Sequence, residues 1–251
     1  MKKLFTYFLT ICWASVFAQK ESKDSVKINP KDNGMVNAVN MMIQTSAYYN
    51  GASNFVYNYD MRYKGVEGSY YFIPKWLKGN IIGNNGKVLE KDVMLKYDCY
   101  NKEILKLNPK GDSVAVYSAG FILFDEQINY PFIKINQLKT KSGTVVSNTY
   151  MMILYKDKSI LFKNISKKID PASYQGAYSI NKQYDTFEDN SEYYFVKNNG
   201  DTEKIKLKKG NILEVLGDKE KQIEEFIKSK KLALKTEDDL IKIAEYYDTL
   251  N

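Results

Sequence analysis

Glu67-Gly68-Ser69-Tyr70-Tyr71-Phe72, Trp76-Leu77-Lys78-Gly79-Asn80-Ile81-Ile82, Asn84-Asn85-Gly86 and Val93-Met94-Leu95-Lys96-Tyr97-Asp98-Cys99-Tyr100, followed by Ile104-Leu105-Lys106, make up the stretch whose reading decides the fold. Aromatic and β-branched residues alternate with polar ones, the period-2 pattern of half-buried strands. Asn85-Gly86 is the dipeptide that best supplies two positive φ angles to a tight hairpin turn. The stretch therefore reads as a run of antiparallel strands.

The pattern continues in both directions. Phe55-Val56-Tyr57-Asn58-Tyr59-Asp60 precedes it with the same alternation. Beyond it, Asn108-Pro109-Lys110-Gly111-Asp112 is a turn, and Val114–Tyr117, Phe121–Phe124, Phe132–Ile135 and Thr144–Val146 are strand candidates. Tyr150–Tyr155 and Ser159–Phe162 flank the turn Asp157-Lys158, and Tyr193–Val196 pairs with Ile205–Leu207 across Asn199-Gly200-Asp201. Short strands separated by turns argue for a sandwich or barrel-like sheet rather than βαβ units. Lys163 to Asn190 is weakly patterned and reads as a long surface connection or the boundary of a subregion.

After residue 208 the period changes. Ile212, Val215 and Leu216 fit a turn or two of helix ended by Gly217. Asp218 stands where it could cap a helix carrying Ile223, Phe226 and Ile227. Thr236 with Asp239 resembles a capping box opening a helix with Leu240, Ile243, Ala244 and Tyr247 on one face. The expected fold class is α+β, mainly antiparallel β, with residues 35–208 as the β domain and residues 209–251 as short helices packed on it. Met35, Val39, Met42 and Ile43 also recur at helical spacing.

At the start, Lys2 and Lys3 precede the apolar run Leu4–Phe17, which closes at Ala18 before polar Gln19-Lys20-Glu21-Ser22. That is the form of a secretory signal, residues 1–18, cleaved near Ala18, and it is too short to span a bilayer. Cys12 follows Ile11, too large a residue for a lipidation site. Residues 19–34 read as a mobile, polar leader. The expected product is periplasmic or extracellular, with no transmembrane segment in the mature chain. Cys99 is then the only cysteine left, so no disulfide within the chain can form, and its apolar strand setting suits a buried small hydrophobe.

Tyr49-Asn50-Gly51, Arg62-Tyr63-Lys64-Gly65, Trp76–Ile81, Leu95–Asp98 and the ending Asp239–Leu250 resemble secreted proteins of Bacteroidetes-type bacteria, a group with no assigned activity. The resemblance implies an envelope location and carries no catalytic residues.

Composition narrows the chemistry. Histidine is absent, which removes Ser-His-Asp and Cys-His nucleophile systems and every zinc site built on histidine. Lys+Arg total 37 against 30 Asp+Glu, yet Arg62 is the single arginine, which argues against nucleic-acid readout. Ser179-Ile180-Asn181-Lys182 matches Ser-x-x-Lys without companion motifs and reads as chance. Asp60, Glu67, Asp98 and Glu103 sit in or near the aromatic strands, where a pair could serve glycan hydrolysis. Asp185, Glu188, Asp189, Asn190 and Glu192 lack the ligand alternation of a calcium loop and read as solvated. No residue set calls for a cofactor, a metal or a catalytic role. The 21 tyrosines are the feature most compatible with binding, and Tyr70, Tyr71 and Trp76 are the candidate platform for a sugar ring or docked peptide. The leading expectation is a non-enzymatic envelope accessory protein that contacts an envelope protein partner; the alternative is a domain that binds or hydrolyses glycan.

Overall fold

Alternating apolar runs separated by short Asx- and glycine-containing turns pair with their neighbours in sequence, and here they do so across one very wide sheet. The computed structural model describes residues 63–172 and 184–250, together with the backbone of the strand Val56–Tyr57. The strands are β1 (Val56–Tyr57), β2 (Leu77–Ile82), β3 (Val88–Asp98), β4 (Glu103–Leu107), β5 (Ser113–Val116) and β6 (Gly120–Asp125). They continue with β7 (Ile128–Lys139), β8 (Val145–Lys156), β9 (Ile160–Asn164), β10 (Lys167–Asp170), β11 (Thr186–Asp189), β12 (Glu192–Val196) and β13 (Thr202–Ile205). Eleven of them join in the order β1-β5-β4-β3-β2-β6-β7-β8-β9-β12-β13, every pairing antiparallel. The fold is α+β, mainly antiparallel β. β10 and β11 form a separate ribbon, so the segment read as a long connection instead pairs its own two ends. The expected helix over residues 35–44, the chance motif at residues 179–182, and most of the strand candidate at residues 55–60 lie outside the described residues.

One turn recurs four times. Residues 83–87, 108–112, 140–144 and 197–201 each close with a backbone bond from the first residue to the fifth and another from the fourth back to the first. The fourth residue is always glycine, with φ between +72° and +92°. This is a type I turn followed by a left-handed residue, a position that costs glycine nothing and other residues strain. Only Gly86 takes a positive φ at the Asn85-Gly86 hairpin, so the expected pair of positive φ angles gives way to a longer loop in which Asn85 Oδ1 accepts the Lys87 N–H at 3.0 Å. Gly79, in the middle of β2, serves a different need: a Cβ there would stand 2.4 Å from the Ile122 carbonyl oxygen.

Three buried clusters divide the molecule. Leu77, Ile81, Leu95, Tyr97, Phe121, Leu123, Phe132, Tyr150 and Met152 pack together on one face of β2, β3 and β6–β8, with Phe121 and Phe132 stacked at 4.6 Å. A second cluster joins Leu161, Phe195 and Ile205 to the helices. The third occupies the other face of β7, β8, β9 and β12: Ile135, Leu138, Met151, Ile160, Phe162, Tyr194 and Val196. Twisted sheets this wide do not stay flat, and the long β7–β8 hairpin supplies the fold-back. Asn148 takes φ +48°, its pair with Asn136 is missing from the register, and beyond that point Leu138 lies in the cluster with Tyr194 and Val196. The hairpin tip then meets the last strand, with the Lys141 N–H donating to the Thr202 carbonyl at 2.8 Å. Burial of each large side chain in such a cluster contributes about 1.5–3 kcal/mol.

The helices are α1 (Lys209–Val215), α2 (Glu220–Ser229) and α3 (Glu237–Thr249), with a single 3₁₀ turn at Gly217–Lys219 between the first two. Ile212, Ile223, Ile227, Leu240, Ile243, Ala244 and Tyr247 are buried, as the helical spacing predicts. Asp218 does not cap α2: Lys219 occupies that position without a side-chain bond. The Thr236 hydroxyl does accept the Asp239 N–H, a cap worth about 1 kcal/mol. The Asp239 carboxylate takes the Lys235 N–H at 3.1 Å, one residue before the cap itself. α3 is held to the sheet at both ends. Glu237 accepts from Lys163 and Tyr193, and buried Asp248 accepts from the Tyr155 hydroxyl at 3.0 Å and the Ser159 N–H at 2.9 Å.

Candidate interaction site

Tyr70 and Tyr71 lie on a strap that follows the end of β3. The Phe72 N–H donates to the Tyr97 carbonyl and the Cys99 N–H to the Tyr70 carbonyl, both at 2.9 Å. The Tyr70 ring packs at a tilt against Tyr71 at 4.2 Å and against Tyr63 and Phe187 at 4.9 and 5.5 Å. The Lys96 ammonium lies 4.4 Å from the Tyr71 ring and 5.0 Å from the Trp76 ring. Partial burial pushes the Lys96 ammonium below its ordinary pKa. The three predicted binding residues are thus brought together, all half-buried, but Tyr71 and Trp76 close on a lysine of the same chain. The cation–aromatic contacts contribute about 0.5–1 kcal/mol at a half-exposed site.

The carboxylates read as candidates serve the fold. Asp98 is fully buried and accepts from the Tyr100 and Asn101 backbone N–H groups at 3.0 and 2.8 Å and from the Asn101 amide at 2.8 Å, which shapes the β3–β4 turn. Glu103 is its register partner across that hairpin. Glu67 is exposed and meets the start of β11 through its backbone, its carbonyl receiving the Phe187 N–H and its N–H donating to the Asp185 carbonyl. Asp60 lies outside the described residues. Cys99 is sealed at 0% exposure, and burial pushes its thiol well up, the state of a packing residue rather than a nucleophile. The acidic cluster lies on β11 and β12 and is paired with lysines: Asp189 with Lys167, Glu188 with Lys168 and Glu192 with Lys204. Among the described residues no group of three His, Cys, Asp or Glu is placed to hold a metal ion.

A cleft of about 680 Å³ escaped the sequence reading. The β7–β8 turn forms one wall, the β12–β13 hairpin the second, and α1 with the 3₁₀ turn the third. Most of its lining residues are polar or charged, lysines 141, 197, 204 and 206 standing with Asp201, Glu203, Glu214 and Asp218, and about half of the lining surface is apolar. At the back, Asp218 accepts from Lys197 and from the buried Tyr247 hydroxyl at 2.8 Å. Burial alone would raise the Asp218 carboxyl; the hydrogen bonds from Lys197 and Tyr247 outweigh it and hold the group below the usual carboxylate range. Nothing in local sequence pattern marks these residues, because the hairpin fold-back brings together turns far apart in the chain.

No known protein family, curated protein or solved structure matches this chain. What the fold and the cleft define is a class: a wide, curled antiparallel β protein with a helical cover and a polar cleft at its hairpin tips. No helix among the described residues is long and apolar enough to cross a membrane.

Proposed function

We propose that this is a non-enzymatic accessory protein of the bacterial cell envelope, exported by the signal at residues 1–18, that works by contact with another envelope protein. The observation that carries this reading is the character of the cleft. Small-molecule sites are mostly apolar with a few convergent polar groups, whereas this cleft has Val215 as its one aliphatic lining residue, is walled by charged side chains of both signs, and leaves only about half of its lining surface apolar. Such a lining suits a polar protein surface, as at the rim of a recognition interface. The structural duties of Asp98 and Cys99 agree with it, since the groups best placed for chemistry on the aromatic strands are committed to turn and core. Cross-linking in intact cells that express the full chain, followed by mass spectrometry, is the test. One recurrent envelope protein cross-linked through the residue 141–144 or 197–206 turns supports the reading; recovery of no recurrent partner overturns it.

The glycan alternative is favoured by one observation, the half-exposed Tyr71–Lys96–Trp76 group, where a ring face and an ammonium could share a sugar. A glycan panel read by thermal shift decides it: a shift lost in Trp76→Ala supports that reading, and no shift across the panel removes it.

A further inference from the structure

The open edge of the sheet lies inside the cleft. In an antiparallel hairpin, alternate residues turn both backbone groups towards the partner strand and the residues between turn both away. The Lys197 N–H donates to the Asp201 carbonyl, so Asp201, Glu203 and Ile205 face β12, and Thr202, Lys204 and Lys206 face outward. Two of these three are already engaged. The Thr202 carbonyl accepts the Lys141 N–H at 2.8 Å, and the Lys206 N–H donates to Asn211 Oδ1 at 2.6 Å. Between these stops the N–H and C=O of Lys204, a residue that lines the cleft, lie side by side on the edge that faces away from β12, and among the described residues no group bonds either of them.

We propose that the cleft receives a short extended peptide segment of a partner protein, which adds to β13 by exchanging both hydrogen bonds with the Lys204 backbone. This names the site of the contact function proposed above and rests on that reading. A donor and an acceptor side by side on an edge strand match the backbone of one peptide residue, which is how β-strand addition obtains affinity; flanking side chains supply the specificity. Lys206 forms no ion pair among the described residues, and neither do Glu203 and Glu214, so the segment that fits carries charges of both signs on its alternate side chains. The stops at Thr202 and Lys206 limit pairing to a single residue. They shield the edge from the open-ended strand addition that leads to aggregation, while leaving room for a short insert.

The probe is a displayed library of random seven-residue peptides selected on the full chain, with each enriched peptide remade with one N-methylated amide at a time. Enriched peptides should lose at least tenfold in affinity when one central amide is methylated, and binding should slow hydrogen exchange of the Lys204 amide at least tenfold. Lys204→Pro removes an outward N–H, which an edge strand tolerates, and should weaken the same peptides at least tenfold while circular dichroism stays unchanged. Absence of enriched peptides, or peptides indifferent to methylation that leave the Lys204 amide exchanging freely, overturns the proposal. If Lys204→Pro does not fold, the methylation and exchange results decide alone. A cellular cross-link that persists undiminished in a folded Lys204→Pro protein would sink the cleft and spare the contact function; loss of all cross-links from the unmodified chain would sink the contact function itself.

Discussion

The two halves of the sheet solve burial differently. Through β2 and the middle of β3, successive residues alternate: Leu77, Gly79 and Ile81 are buried in β2, and in β3 Leu95 and Tyr97 are buried while Met94 and Lys96 are only partly so. In β8, β9 and β12 the buried residues run consecutively, as Tyr150-Met151-Met152, Ile160-Leu161-Phe162 and Tyr194-Phe195-Val196. There one face carries the helices or the aromatic core and the other receives the folded-back β7–β8 hairpin. A strand covered on one face reads as alternation, and a strand covered on both reads as a continuous apolar run. The one-sided half leaves a face for the aromatic strap and Lys96; the two-sided half makes the rigid body against which the cleft is built.

Adjacent substitutions test this contrast most severely. Leu161→Ala should cost about 2–5 kcal/mol and Phe162→Ala about 3–5 kcal/mol, since each leaves a cavity in a different cluster. In β3 the neighbours should split, with Leu95→Ala in the same range and Met94→Ala well below it. Urea unfolding monitored by circular dichroism measures all four, and equal losses at Met94 and Leu95 would break the comparison. Gly79→Ala comes next: its methyl group meets the Ile122 carbonyl and the Leu95 side chain, and the expected loss is about 1–3 kcal/mol in the same assay.

The docking of α3 sharpens the two-sided half. Asp248→Ala would leave the Tyr155 hydroxyl and the Ser159 N–H without their acceptor, at about 1–3 kcal/mol. Hydrogen exchange should show α3 loosening before β2–β4 does; uniform loosening would mean that the halves are not distinct. The smallest effect is on acid stability. Burial alone would raise the Glu192 carboxyl, but hydrogen bonds from Lys204 and Tyr194 prevail and hold it below its ordinary value of 4.5. A carboxyl depressed in the folded state contributes stability that is present above its unfolded pKa and lost as pH falls through the folded one. Glu192→Gln should therefore lower stability at neutral pH, where the contribution is fully present, and converge with the unmodified protein in acid, which flattens the limb below about pH 4.5. An unaltered acid limb would show that the Lys204–Glu192 pair does not hold the β12–β13 hairpin.

Much of the strand pattern, the hairpin turns and the buried faces of α2 and α3 were legible because each depends on residues near one another in sequence. The Asp218 reading failed for the complementary reason: a capping position is judged locally, yet Lys197 and Tyr247 arrive from 21 and 29 residues away and claim both carboxylate oxygens. Of the binding candidates, the company of Tyr70, Tyr71 and Trp76 was anticipated, and the lysine between the last two was not. Lys96 sits on the solvent-facing phase of β3, where alternation predicts a solvated charge and says nothing of the strap that covers it.

By itself, the sequence determined the secondary structure type, the antiparallel pairing of neighbours, the helical ending, and the absence of histidine chemistry, since these follow from side-chain period, turn residues and composition. Tertiary structure alone decided the eleven-strand width, the second covered face and the cleft with its open backbone position at Lys204. Those features arise where a hairpin bends back on a strand some sixty residues later in the chain, as the Lys141–Thr202 bond records, and the free energy of that closure comes from burial between surfaces that no short window of sequence contains.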